Sequence, residues 1–228
     1  LVFDGIQMRI SGDASGSVYG ITYNSTATVG ELVFRDYVMD TSTLLTGAAV
    51  FSGASATTIS KLVVDGFSTL FGNSTTSVGW LMGSNLTTSE WVFNRATWNG
   101  GANAAARMIH QTGGTVSDFK GSNWKLLGNS AANGYYHAGG ALTAFEITNV
   151  QGSGIRSVYE NTTGATATPD GVISNVLLNG SMGQLVNLSQ STNLMASNIR
   201  AASIGNNVIQ LGATSKTFNF RLSNISAS

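Results

Sequence analysis

Apolar and polar residues alternate along this chain in a short phrase that returns nine times: apolar, any, apolar, polar, turn residue, apolar. The phrase opens at Leu1, Leu32, Leu62, Trp91, Phe119, Phe145, Val176, Ile199 and Phe220. Successive openings are 31, 30, 29, 28, 26, 31, 23 and 21 residues apart. A fixed period of this length signals stacked structural repeats, each unable to bury its apolar face alone.

Each position of the phrase has its own chemistry. The first is apolar throughout, and the third is mostly large and apolar (Phe3, Phe34, Val64, Phe93, Ile147, Leu178). On a strand these two positions share a face, so both point inward. The fifth is Gly5, Asp36, Gly66, Arg95, Asn123, Asn149, Gly180, Ser203 and Asn224. Gly, Asn and Asp tolerate a left-handed backbone, which marks a corner between two strands. The sixth position turns apolar again, and a further apolar run sits mid-coil, as in Val78–Met82, Gln184–Leu188 and Asn207–Leu211.

These columns predict an all-β, single-stranded, right-handed parallel β-helix of about nine coils, with three short strands per coil. A leucine-rich horseshoe would need its own Leu/Asn spacing and helical segments, and the sequence has neither. With no linker visible, residues 1–228 read as one domain. The opening at Leu1, without an initiator Met or a signal-like segment, reads as a piece of a longer chain. The segment Asn161–Gly171, polar and carrying the only Pro, is expected to protrude as a loop.

Composition sharpens the picture. Only 10% of residues are charged, far below the ~25% of an average soluble domain. Ser, Thr, Asn and 28 Gly supply the polarity instead, which suits strands and tight turns. Eleven basic residues balance eleven acidic ones, so neither nucleic acid nor insertion into a membrane is expected. Without Cys there is no disulfide and no thiolate, and no cofactor or metal site is expected.

The second position of the phrase faces outward. Val2, Val33, Val63 and Val92 there form an apolar stripe, a candidate interface for side-by-side association such as a homotrimer. The column just before the phrase carries Glu31, Lys61, Glu90 and Asp118. Glu90 and Asp118 fall on neighbouring rungs about 5 Å apart, with Glu146 one rung further. Carboxylates so close can divide acid and nucleophile roles in glycoside hydrolysis, since repulsion raises one pKa. The same residues also fit a solvated charge ladder. Trp98, Tyr135, Tyr136, His137 and Tyr159 gather around the central coils, where aromatic rings can stack on sugar faces. His110 and His137 fall in adjacent coils, but no third ligand stands at metal-binding spacing.

The inward triads such as Leu62-Val63-Val64 with Gly66, the corners at Asn149, Gly180 and Asn224, and the pairs Ser174-Asn175 and Ser197-Asn198 resemble the pectate-lyase-like β-helix superfamily. Within it, the pattern is most similar to the β-helical shafts of phage tailspikes and tail fibres. The resemblance implies recognition of cell-surface polysaccharide from a virion tail or cell surface. It also implies that a depolymerase would use Glu90, Asp118 and Glu146 as paired carboxylates on the rod face. A third expectation on the same fold is an adhesin or filament subunit without catalysis.

Overall fold

The computed structural model describes residues 1–9, 18–23, 26, 28–41, 48–53, 57–71, 77–83, 85–100, 106–128, 132–166, 169–180, 184–202, 207–212 and 216–228. The corner expected at Ser203 lies outside them. The described residues form strands only, with no helix. In order these are β1 (Val2–Asp4), β2 (Gln7–Arg9), β3 (Val18–Tyr23), β4 (Thr28–Thr41), β5 (Ala48–Gly53) and β6 (Thr57–Phe71). Then come β7 (Ser77–Met82), β8 (Leu86–Asn99), β9 (Arg107–Gln111), β10 (Thr115–Leu127), β11 (Asn133–His137) and β12 (Ala141–Ser153). Last are β13 (Ser157–Asn161), β14 (Asp170–Asn179), β15 (Gln184–Leu188), β16 (Thr192–Ala202), β17 (Ile209–Leu211) and β18 (Phe218–Ala227).

From β4 onward the chain alternates between two sheets. One stacks β1-β4-β6-β8-β10-β12-β14-β16-β18, with β2 also on β4, and the other stacks β3 through β17 in sequence order. Each strand pairs in parallel with the strand one coil away. The chain is therefore a parallel β-solenoid. Like side chains stack on like: Leu32 pairs with Leu62, Leu62 with Trp91, Trp91 with Phe119 and Phe119 with Phe145.

Each long strand bends once, at a residue of positive φ. The bend column is Gly5, Asp36, Gly66, Arg95, Asn123, Asn149, Asn175, Asn198 and Asn224, with φ between 47° and 81°. The two limbs of a long strand and the short strand of the second sheet are thus the three strand segments of a coil. A left-handed conformation costs a non-glycine residue about 1–2 kcal/mol, least for Asn and Asp. Arg95 is the exception in chemistry, and its guanidinium reaches Asp65 at 2.6 Å and Asp36 at 3.4 Å.

The bend column corrects the expected register of two coils. Asn149 lies over Asn175, not over Gly180, because Phe145 pairs with Gly171 and Thr148 with Ser174. The seventh and eighth phrases therefore open at Gly171 and Leu194, five residues before Val176 and Ile199. The true openings are 31, 30, 29, 28, 26, 26, 23 and 26 residues apart. The slip has a physical cause. At Gly171 a Cβ would run into the Phe145 ring, which already fills that place in the core, so the apolar pattern lapses there.

The core is one continuous cluster from Leu32 to Ala201. Its largest members include Trp80, Trp91, Trp98, Trp124, Tyr37, Tyr135 and Tyr159. Their rings meet edge-on or stacked, as in Trp91–Phe119 at 5.5 Å and Phe145–Tyr159 at 4.3 Å between centroids. The expected nine coils reduce to about six complete turns. The end rungs have a neighbour on one side only, so Leu1, Val2, Leu211 and Leu222 stay 46–65% exposed.

The loop expected over Asn161–Gly171, of which residues 167 and 168 lie outside the described ones, is drawn in at Asn161, Ala165, Pro169 and Gly171. Asn161 is buried and accepts the amide N–H groups of Ser189 and Gln190 at 2.8 and 2.9 Å. Ala165 bridges to Gly140, and Thr163, Gly164, Thr166 and Asp170 are exposed among the described residues of that segment.

Candidate polysaccharide face on the long sheet

The outward face of the long sheet, on the limb before the bend, carries a ladder of alternating charge. Lys61 lies 3.9 Å from Glu31 and 3.7 Å from Glu90. Lys120 lies 3.0 Å from Glu90 and 2.8 Å from Asp118. An ammonium therefore sits between the two carboxylates expected to face each other. The Lys120 hydrogen bond holds the Glu90 carboxyl below the usual carboxylate range, and the two carboxylates push Lys120 upward in turn. A general acid for glycoside hydrolysis needs the opposite shift. Glu90 therefore lacks the raised pKa of a general acid.

Further along the same face is a groove of about 630 Å³. Asp118, Glu146, Asp170, Asn193, Asn219 and Arg221 supply its polar groups, and Val172 and Met195 an apolar floor. Asn193 donates to Asp170 at 2.7 Å, and Asn219 donates to Asn193 at 2.8 Å. The groove depends on the true register. Asp170 and Asn193 stand just before the phrase and Val172 and Met195 at its second position, where phrases opening at Val176 and Ile199 would put Asn175, Asn198, Leu177 and Arg200.

The aromatic residues fare differently. Trp98, Tyr135, Tyr159 and His137 are fully buried and present no face to a ligand. Tyr135 and Tyr159 belong to the inward column Trp80, Ile109, Tyr135, Tyr159, Val186 of the second sheet. His137 contacts the Tyr159 hydroxyl at 3.2 Å and the Gly140 carbonyl at 3.1 Å. Burial depresses its pKa, so it is a neutral core residue. Only Tyr136 of the five faces out, half-buried under Arg107 at 4.1 Å and beside His110. The strict two-residue alternation explains the division, since Tyr135 and Tyr136 must point opposite ways.

The valine stripe is also less open than expected. Val2 is 54% exposed, but Val33 is only 4% exposed, and Val63 and Val92 are half-buried.

A cluster not anticipated from the sequence lies on the outer face of the second sheet. Its outward column runs Leu81, His110, Tyr136, Glu160, Asn187 and Gln210. Glu160 is only 5% exposed, and its carboxylate accepts from Arg156 at 3.0 Å and from Ser157 at 3.3 Å. Burial raises its pKa despite Arg156, Ser157, Arg107 and Asn187. Burial, with help from Arg107, pushes His110 down to about 4. The signal in the sequence was the alignment of His110, Tyr136 and Glu160 one coil apart.

No protein-family model, curated protein or solved structure matches the chain.

Proposed function

We propose that this solenoid is a spike or tail-fibre type domain, of the pectate-lyase-like β-helix kind, that binds cell-surface polysaccharide along its long sheet. The carrying observation is the groove of about 630 Å³ over Asp118, Glu146, Asp170, Asn193, Asn219 and Arg221. Rungs repeat every ~4.8 Å, so a linear polymer lying along the rod meets comparable groups at each step. Carboxylates and amides accept and donate to sugar hydroxyls, while Val172 and Met195 offer an apolar surface to ring C–H faces. The stacked sheets need no disulfide, which suits a protein of a virion tail or cell surface.

Side-by-side association, as in a homotrimer, belongs to this reading. Val2, Val63 and Val92 are the outward apolar residues it would bury. Sedimentation of the intact protein as a stable monomer removes the trimer.

Binding to an array of bacterial surface polysaccharides, without release of reducing sugar, is the direct test. Replacing Asp170 and Arg221 together by Ala should weaken binding about tenfold, equivalent to ~1.4 kcal/mol. An array with no ligand up to millimolar concentration contradicts the proposal.

A further inference from the structure

A second groove, of about 720 Å³, lies on the other limb of the long strands, beyond the bend. Its charged residues are Arg95, Lys125 and Arg200, with no carboxylate among its lining. The groove before the bend has Asp118, Glu146 and Asp170 against Arg221 alone. The groove beyond the bend is thus lined by cations, and the groove before it mainly by carboxylates, of which Asp118 is paired with Lys120.

Arg95 is committed to Asp65 and Asp36. Lys125 and Arg200 are exposed and form no ion pair with the described residues. They occupy one outward column, Lys125, Gln151, Leu177, Arg200, so about 14 Å and three rungs separate them. Leu177 between them is 37% exposed and supplies an apolar side chain between the two cations.

The bend column beside them adds an independent feature. Its amides form a ladder: Asn123 donates to Asn94 at 2.9 Å and Asn149 to Asn123 at 3.3 Å. Asn198 donates to Asn175 at 3.1 Å and Asn224 to Asn198 at 2.7 Å. Among the described residues the ladder breaks between Asn149 and Asn175, in the middle of the groove. Among the described residues the side-chain N–H of Asn175 and the side-chain carbonyl of Asn149 make no hydrogen bond, and both side chains are exposed. A sugar hydroxyl, which donates and accepts at once, completes such a gap.

We infer that this groove binds an acidic polysaccharide running along the rod, its anionic groups on Lys125 and Arg200, a hydroxyl in the Asn149–Asn175 gap and a sugar ring over Leu177. The inference rests on the proposed polysaccharide function and adds to the groove before the bend a second site, selective for an acidic chain. Single-stranded nucleic acid fits less well, because the only aromatic ring in the lining, Trp124, is buried and cannot stack on bases.

The test uses the full chain with three probes: a hyaluronan oligosaccharide, a neutral dextran of similar length and a single-stranded DNA oligonucleotide. Hyaluronan should bind, weaken as salt rises, and outcompete both other probes. The variant Lys125→Ala/Arg200→Ala should lose at least about tenfold in affinity. Lys125→Arg should recover most of the Lys125 contribution, which a merely unfolded variant would not. Lys216→Ala, at an exposed lysine that lines neither groove, serves as control and should change hyaluronan affinity less than about twofold. Unchanged affinity in Lys125→Ala/Arg200→Ala overturns the inference, as does equal binding of DNA. If dextran binds best and only the Asp170→Asn/Glu146→Gln variant weakens it, this inference fails while the polysaccharide proposal stands. If none of the probes binds and the polysaccharide array is also empty, both fail.

Discussion

Glu90 and Glu160 occupy equivalent places on two sheets of one solenoid, each pointing away from the core, yet their carboxyl groups shift in opposite directions. On the long sheet Glu90 is about one-third exposed and hydrogen-bonded to the exposed Lys120, so its charged form is favoured. On the second sheet Glu160 is almost fully covered, and desolvation outweighs the attraction of Arg156. Outward position therefore does not mean solvated. The long sheet offers an exposed, charged surface, while the second sheet carries a covered polar layer.

The largest effect that would break this contrast is at His110. Its folded pKa of about 4 lies below the ordinary 6.5, so the unfolded chain takes up a proton that the folded one refuses. The stability this neutral imidazole contributes is present above pH 6.5 and is lost as pH falls toward 4. A shift of that size corresponds to about 3 kcal/mol. His110→Gln should flatten the loss of melting temperature between pH 7.5 and 4.5. An unchanged pH profile would mean that His110 is solvated.

Glu160 comes next, with the reverse sign. A raised carboxyl favours the folded state below the ordinary carboxylate range, and that benefit disappears as pH rises through the folded value. Glu160→Gln keeps the shape and removes the buried charge, while Arg156 remains 43% exposed and hydrated. Stability at pH 7.5 should rise by on the order of 1 kcal/mol, with the gain fading by pH 4. A loss at pH 7.5 would show that the ion pair outweighs burial.

Glu90→Gln should do least. Its depressed pKa contributes stability above the ordinary carboxylate range that is lost on acidification, and solvent screens the pair. The expected cost at pH 7 is about 0.5 kcal/mol or less, vanishing in 1 M salt. A gain in stability at pH 7 instead would place Glu90 in the same covered class as Glu160.

Much of the long sheet was legible because its signal is redundant. Inward apolar residues and left-handed corner residues repeat together, and seven of the nine phrases open where the sequence placed them. Gly171 broke one signal, since the apolar mass at that point comes from the ring of Phe145 on the previous rung. Asn175 has the chemistry of a corner, but the apolar run Val176-Leu177-Leu178 with Gly180 matches the phrase and draws the register to itself. The charge ladder was legible from spacing, whereas the groove at Asp170 and Asn193 was hidden by the slip. The second sheet was harder to read. Its strands are five residues or fewer from β9 onward, and both faces are largely buried, so polarity does not report direction.

Rung register decides which outward side chains meet, and both grooves stand or fall with it. Because the chain lacks Cys, paired cysteines crosslinked with dibromobimane test it without background. Glu146→Cys with Val172→Cys, which are direct neighbours, should crosslink rapidly, while Glu146→Cys with Leu177→Cys should not. Preferential crosslinking of the second pair would contradict the register and with it the grooves.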